Sequence, residues 1–141
     1  MNFQGCPGSR MMDMRRPAAD DAPDAAPGTV PSQLRQWPVQ LHLISPMAPY
    51  YQGADVVLTA DCVAYALGGY HAEHLKGKAI AIACPKLDDG QDVYVEKIRA
   101  WFDDAKINTL TVMIMEVPCC RGLSALARRA HPVPTACCGP W

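Results

Sequence analysis

The sequence predicts an α/β fold: a three-layer sandwich around a small, mostly parallel sheet of about four strands. Three observations carry this. Short, continuous apolar runs recur at Val56-Val57-Leu58, Ala79–Cys84 and Leu110–Met115. Runs of that kind suit strands buried on both faces, as parallel strands are. Segments of helical period separate them, and strand–helix alternation is the pattern of layered α/β domains.

The elements follow in chain order. Residues 1–31 are rich in Pro, Ala and Asp, with almost nothing apolar to bury, and read as a disordered tail or linker. The α/β domain is expected over residues 32–130. Ser32 is placed to cap a short helical turn that ends before Pro38. Val39–Ile44 alternates and reads as a first strand. Asp55–Ala60, Ala79–Cys84 and Leu110–Met115 supply three more. Asp61–Gly68 and Tyr70–Lys76 form one crossover, interrupted at Gly68-Gly69. Asp92–Ala105 is the clearest helix, with Tyr94, Ile98, Trp101, Phe102 and Ala105 on one stripe and Asp92 as N-cap. Leu123, Leu126, Ala127 and Ala130 make a last helix, stopped near Pro132. Residues 131–141 have no period and read as an irregular C-terminal tail.

Charge and composition exclude several function classes. Thirteen Lys+Arg against fourteen Asp+Glu leave a net charge of −1, so no basic face is concentrated enough for nucleic acid. Aromatic residues are 7% of the chain, too few for a stacking platform. No run of 18 apolar residues occurs, so no membrane span is expected. The first 30 residues lack the apolar core of a signal peptide, which points to a cytoplasmic protein. No G-x-G-x-x-G, Walker or G-x-S-x-G pattern is present, so neither a nucleotide site nor a hydrolase elbow has motif support.

Seven cysteines are the unusual feature. Without a leader they are a poor disulfide framework and suggest metal or redox chemistry. Cys62 follows one buried strand, Cys84 ends the next, and Cys119-Cys120 follow the third. Ligands in open parallel sheets sit outside the carboxyl ends of the strands. Four thiols there match the ligand count of an iron–sulfur cluster or of a structural zinc. Cys62, Cys84, Cys119 and Cys120 are therefore the candidate cofactor and metal ligands, with an iron–sulfur cluster as the cofactor and zinc as the alternative. Cys120 also opens the last helix, where N–H groups and Arg121 should favour its thiolate. Packing competes with this, because a reduced cysteine is also a small hydrophobe. Cys6, Cys137 and Cys138 have no partner spacing.

Other candidates are weaker. His71 and His74 are three apart on one helix face, whereas the usual helical zinc pair is four apart. Asp61 is placed to cap a helix, and Lys86 to pair with Asp61, Glu116 or a ligand.

The segments 32–41, Ala60-Asp61-Cys62-Val63-Ala64, Cys84-Pro85-Lys86-Leu87-Asp88-Asp89 and Met115-Glu116-Val117-Pro118-Cys119-Cys120 resemble a family of ferredoxin-type (4Fe-4S) iron–sulfur proteins. There an N-terminal ferredoxin module and a linker, which Gly5-Cys6-Pro7-Gly8-Ser9 resembles, precede an α/β C-terminal domain. The ferredoxin module and its cysteine run are absent here, and Arg121 stands where that family usually has Gly. The resemblance implies an accessory domain in electron transfer, partnered by a ferredoxin module or a redox enzyme, rather than an enzyme itself. Two alternatives stand beside it. Cys119 and Cys120 would be redox thiols, one attacking and one resolving; or the domain would be a metal-free docking module for a ferredoxin.

Overall fold

The computed structural model describes residues 7–15, 28–132 and 136–137. Two short strands, β1 (Met12–Asp13) and β2 (Gln36–Trp37), pair antiparallel. The centre is a separate sheet of β3 (Asp55–Ala60), β4 (Ala79–Ala83), β5 (Thr109–Met113) and β6 (Ala136–Cys137). Its order is β4-β3-β5-β6, and every pairing in it is parallel. The helices are α1 (Val63–Ala66), α2 (Gln91–Asp103) and α3 (Arg121–Ala130), with a π-helical turn at Tyr70–Leu75. This is the three-layer α/β architecture that the apolar runs predict.

The central strands are buried because they carry nothing that water would solvate. Val56, Val57, Leu58, Ala81 and Val112 are fully enclosed. The α2 stripe behaves as its period requires: Tyr94, Ile98, Trp101 and Ala105 are buried, and Phe102 is half-buried against the ring of His131, 4.0 Å centroid to centroid. Enclosing Ile98 alone is worth about 2 kcal/mol. The helix starts one residue before the expected Asp92. Its cap is Gly90, at φ +67°, a left-handed conformation that glycine adopts without a Cβ clash. Asp92 lies in the first turn, where its carboxylate faces Arg129 at 3.4 Å.

Two expectations before β3 are corrected. Ser32 starts no helical turn; the chain is extended and forms β2. The cause is Gln36, whose buried side chain bonds the backbone of β4. Gln36 Oε1 accepts from Ile80 N at 2.9 Å, and Nε2 donates to Ile80 O at 2.9 Å and to Tyr51 Oη at 3.0 Å. The second correction concerns Val39–Ile44, which is not a strand. Only Gln40 bridges to Ile82, through Ile82 N to Val39 O at 2.8 Å and Leu41 N to Ile82 O at 2.9 Å. The chain then turns, and Lys97 Nζ donates to the carbonyls of Leu41, His42 and Ile44. Leu41 and Ile44 are buried and Leu43 is exposed, which is the spacing of a turn. Residues 36–41 thus cover the open edge of β4, an edge that would otherwise invite pairing with another chain.

The ends also differ in part. Met12–Asp13 pair with β2 although they lie in the segment expected to be unstructured. Ala136–Cys137 lie along β5, in register from Thr111↔Ala136, although that segment is expected to be irregular. Most of the proline-rich stretch, residues 16–27, lies outside the described residues, as do Cys6 and Cys138. No helix among the described residues is long and apolar enough to cross a membrane.

Candidate functional site

β3 lies between β4 and β5, and all three run the same way, so their carboxyl ends share one edge. Cys62, Cys84 and Cys119-Cys120 all leave from that edge. Cys62 is exposed at the start of α1, and Cys84 is half-buried after β4. Cys119 is exposed, whereas Cys120, the N-cap residue of α3, is buried.

The thiols are not equivalent. Burial pushes the Cys120 thiol above its ordinary range; a backbone hydrogen bond at Met115 opposes this. The charge of Cys119, a side-chain hydrogen bond with it, and the charge of Cys62 push the thiol up further. The helix start was expected to favour the Cys120 thiolate, and this is corrected: enclosure and two neighbouring thiols outweigh the helix end. Burial thus favours the protonated thiol at Cys120.

The loop after β4 is built on one carboxylate. Asp88 Oδ2 accepts from Cys84 N at 2.9 Å, from Tyr94 Oη at 2.5 Å and from Gln40 Nε2 at 3.1 Å. Asp88 N returns to Cys84 O at 2.9 Å. The Gln91 side-chain amide donates to Pro85 O. This knot fixes Cys84 relative to β4 and α2. Burial, and after it the charge of Asp88, raises the carboxyl pKa of Asp61. The loop also meets α3 closely: a Cβ on Gly122 would stand 2.9 Å from Pro85 Cβ. Only glycine allows that approach, which sets the start of α3 beside the Cys84 loop.

The structure brings some predicted residues together and separates others. Cys119 and Cys62 lie near enough to Cys120 for their charges to act on its thiol. Among the described residues, however, no three His, Cys, Asp or Glu side chains are arranged to hold a metal ion. Asp61 does not cap α1, whose N-cap is Cys62 and carries no side-chain cap bond. Lys86 forms no ion pair with Asp61 or Glu116 among the described residues. His71 Nδ1 accepts from Gln33 N at 3.0 Å, so it anchors the chain before β2.

Sequence reasoning missed Asp88, Tyr94 and Gln40 as site residues. Tyr94 lies on the apolar stripe of α2, and its hydroxyl was given no partner. A tyrosine that is buried needs one, and that was the available signal.

Comparison with known proteins bears on this edge. The family model of a Rossmann-like domain matches residues 48–134, which span β3 through α3. The chain belongs to the Rossmann-like domain family. An uncharacterized protein of Archaeoglobus fulgidus (strain ATCC 49558 / DSM 4304 / JCM 9628 / NBRC 100126 / VC-16) is 34% identical over 100 residues, 70% of this chain and 68% of that protein. No solved structure matches the chain. The resemblance to ferredoxin-type iron–sulfur proteins is thereby corrected. The segments at 60–64, 84–89 and 115–120 all fall within the Rossmann-like match, and neither similarity is to a ferredoxin. In this Rossmann-like domain the turn after β3 reads Ala60-Asp61-Cys62-Val63, with no glycine for a pyrophosphate to approach. Thiols and carboxylates occupy the edge where such folds place ligands.

Proposed function

We propose that this Rossmann-like domain is a thiol–disulfide redox protein, with Cys119 as the attacking thiol and Cys120 as the resolving one. The observation that supports it is the adjacent pair of one exposed and one buried thiol at the carboxyl edge. Attack requires access, which Cys119 has and Cys120 lacks. In the first step Cys119 thiolate attacks a disulfide of the oxidising partner. A mixed disulfide forms at Cys119, and one partner thiolate leaves and takes up a proton. Cys120 then gives up its proton and attacks Cys119 Sγ, releasing the second partner thiol. The partner disulfide is reduced to two thiols, and the Cys119/Cys120 dithiol is oxidised to a disulfide. A disulfide between adjacent residues is strained, so this one is readily reduced again and suits a cycling or sensing role.

The experiment uses oxidised glutathione as the disulfide. Wild type should release two glutathione equivalents per chain and yield a peptide with Cys119 joined to Cys120. Cys120→Ser should stop at the mixed disulfide on Cys119. Glutathione retained on Cys119 in wild type as in the variant would overturn the assignment.

A second reading is a metal–thiolate site for electron transfer, holding zinc or an iron–sulfur cluster. It is supported by the influence of Cys62 on Cys120 and by Cys84 on the adjoining strand end. It requires the loops to draw in, since three donors do not converge as placed. Stoichiometric metal bound after anaerobic loading, and lost in Cys62→Ser, Cys84→Ser and Cys120→Ser alike, would favour it over the dithiol.

A further inference from the structure

The loops that carry the thiols also carry apolar side chains that the fold leaves in water. Tyr65, Leu87 and Val117 follow β3, β4 and β5 respectively, four or five residues beyond the strand ends. Tyr65 is 96% exposed, Leu87 81% and Val117 38%. The three strand exits are adjacent, so together they span about 10 Å, two strand spacings. The exposed thiols of Cys62 and Cys119 lie on the same loops. Single apolar side chains on a surface are ordinary, but a group of them among polar residues marks a contact site.

The polar groups around them are mainly acidic. Asp61, Asp88, Asp89 and Glu116 stand on these segments against Lys86 and Arg121. Among the described residues, neither cation is ion-paired with any of the four, and the nearby Asp92 is already paired with Arg129. Asp88 acts on Asp61, and both act on the Tyr94 hydroxyl, so these two carboxylates share one field. Such a surface repels a second copy of itself and attracts a cationic partner with apolar side chains.

We propose that this edge docks a short extended polypeptide segment, in which a disulfide-bonded cysteine is flanked by basic and apolar residues, as the disulfide substrate of Cys119. The proposal rests on the dithiol reading, whose substrate class it supplies. An extended segment of three or four residues is about 10 Å long, which matches the spread of the strand exits. The disulfide of the segment is reduced to two thiols as Cys119 and Cys120 become a disulfide. Oxidised glutathione carries more carboxylates than amines, so it reacts at Cys119 without being held.

The test measures initial rates of thiol release by the reduced full chain from three disulfides: oxidised glutathione and the symmetric disulfides of two end-blocked peptides, Leu-Lys-Cys-Lys-Leu and Leu-Glu-Cys-Glu-Leu. Each rate is divided by that of dithiothreitol with the same disulfide, which removes differences in intrinsic reactivity. The basic peptide should exceed the other two about tenfold or more. Tyr65→Ser and Leu87→Ser should each lower the basic-peptide rate about threefold and leave the glutathione rate unchanged. Equal normalised rates for all three disulfides, or a preference that both serine variants retain in full, would overturn the docking site while a Cys119–Cys120 product keeps the dithiol reading. No Cys119–Cys120 disulfide from any probe would overturn the dithiol reading and the docking site with it. A dimer in sedimentation whose Cys119 is shielded from alkylation would make a second copy the occupant and would also overturn the proposal.

Discussion

Gln36 and Ile80 form a strand pair in which one partner is a side chain. Gln36 Oε1 takes the Ile80 N–H and Gln36 Nε2 gives to the Ile80 carbonyl, both at 2.9 Å. A primary amide presents the same donor–acceptor pattern as a peptide group, so it completes the β4 edge without a neighbouring strand. Gln36→Ala would leave the buried Ile80 N–H without its partner, while Ile80 O keeps the bond from Tyr51 Oη at 2.8 Å. An unsatisfied buried group costs about 1–3 kcal/mol, so the expected loss is about 2 kcal/mol in chemical denaturation. A loss below about 1 kcal/mol would show that the edge finds other partners.

Asp88 is expected to be the organiser of the Cys84 loop. Asp88→Asn replaces an acceptor of three hydrogen bonds by a group that can keep only part of them. The expected cost is about 2 kcal/mol. It also removes a charge that raises the Asp61 pKa, so that pKa should fall while burial keeps it above the ordinary carboxyl value. A carboxyl-resolved NMR titration of wild type and variant reads the change. An unmoved Asp61 would separate the two carboxylates.

Gly122→Ala tests the contact between α3 and the β4–α2 loop. In an open helix this change gains about 1 kcal/mol. Here the added carbon would stand 2.9 Å from Pro85 Cβ, so Pro85 or α3 must shift. A net destabilisation of about 1 kcal/mol is expected, together with faster alkylation of Cys120 as its cover loosens. A variant more stable than wild type would mean that the contact yields freely.

The pH dependence of Cys120 follows from its surroundings. Its folded pKa lies above the ordinary thiol value of 9.0. An acid that holds its proton more tightly when folded stabilises the fold below its unfolded pKa. That contribution is lost as pH rises through the folded value. Wild type should therefore lose stability above about pH 9 faster than Cys120→Ser. Parallel stability profiles for the two proteins would contradict the raised pKa.

Much of this fold was legible in the sequence, for stated reasons. Val56-Val57-Leu58 and Ala79–Cys84 read as buried strands, and the stripe Tyr94, Ile98, Trp101 as one helix face, and the structure has them so, with the second strand ending at Ala83. Their order then set Cys62, Cys84 and Cys119-Cys120 on one edge. The segment before β3 was misread because its structure depends on distant partners. Gln36 is extended since Ile80 bonds it, and Val39–Ile44 turns since Lys97 collects its carbonyls. The state of the thiols was also hidden. Helix position argued for an ionised Cys120, but burial and the neighbouring sulfurs decide the matter, and both arise only on folding. The family resemblance rested on short junction motifs, and the match over residues 48–134 replaced it.

The pairing of Cys119 with Cys120 is the centre of the functional proposal. The most direct measurement is peptide mapping by mass spectrometry of the full chain after anaerobic reduction and exposure to oxidised glutathione at neutral pH. The expected product in wild type is an intramolecular Cys119–Cys120 disulfide with two glutathione thiols released per chain, and in Cys120→Ser a stable glutathione adduct on Cys119. A wild-type product carrying glutathione on Cys119, or with Cys119 joined to Cys62 while Cys120 stays reduced, would contradict it.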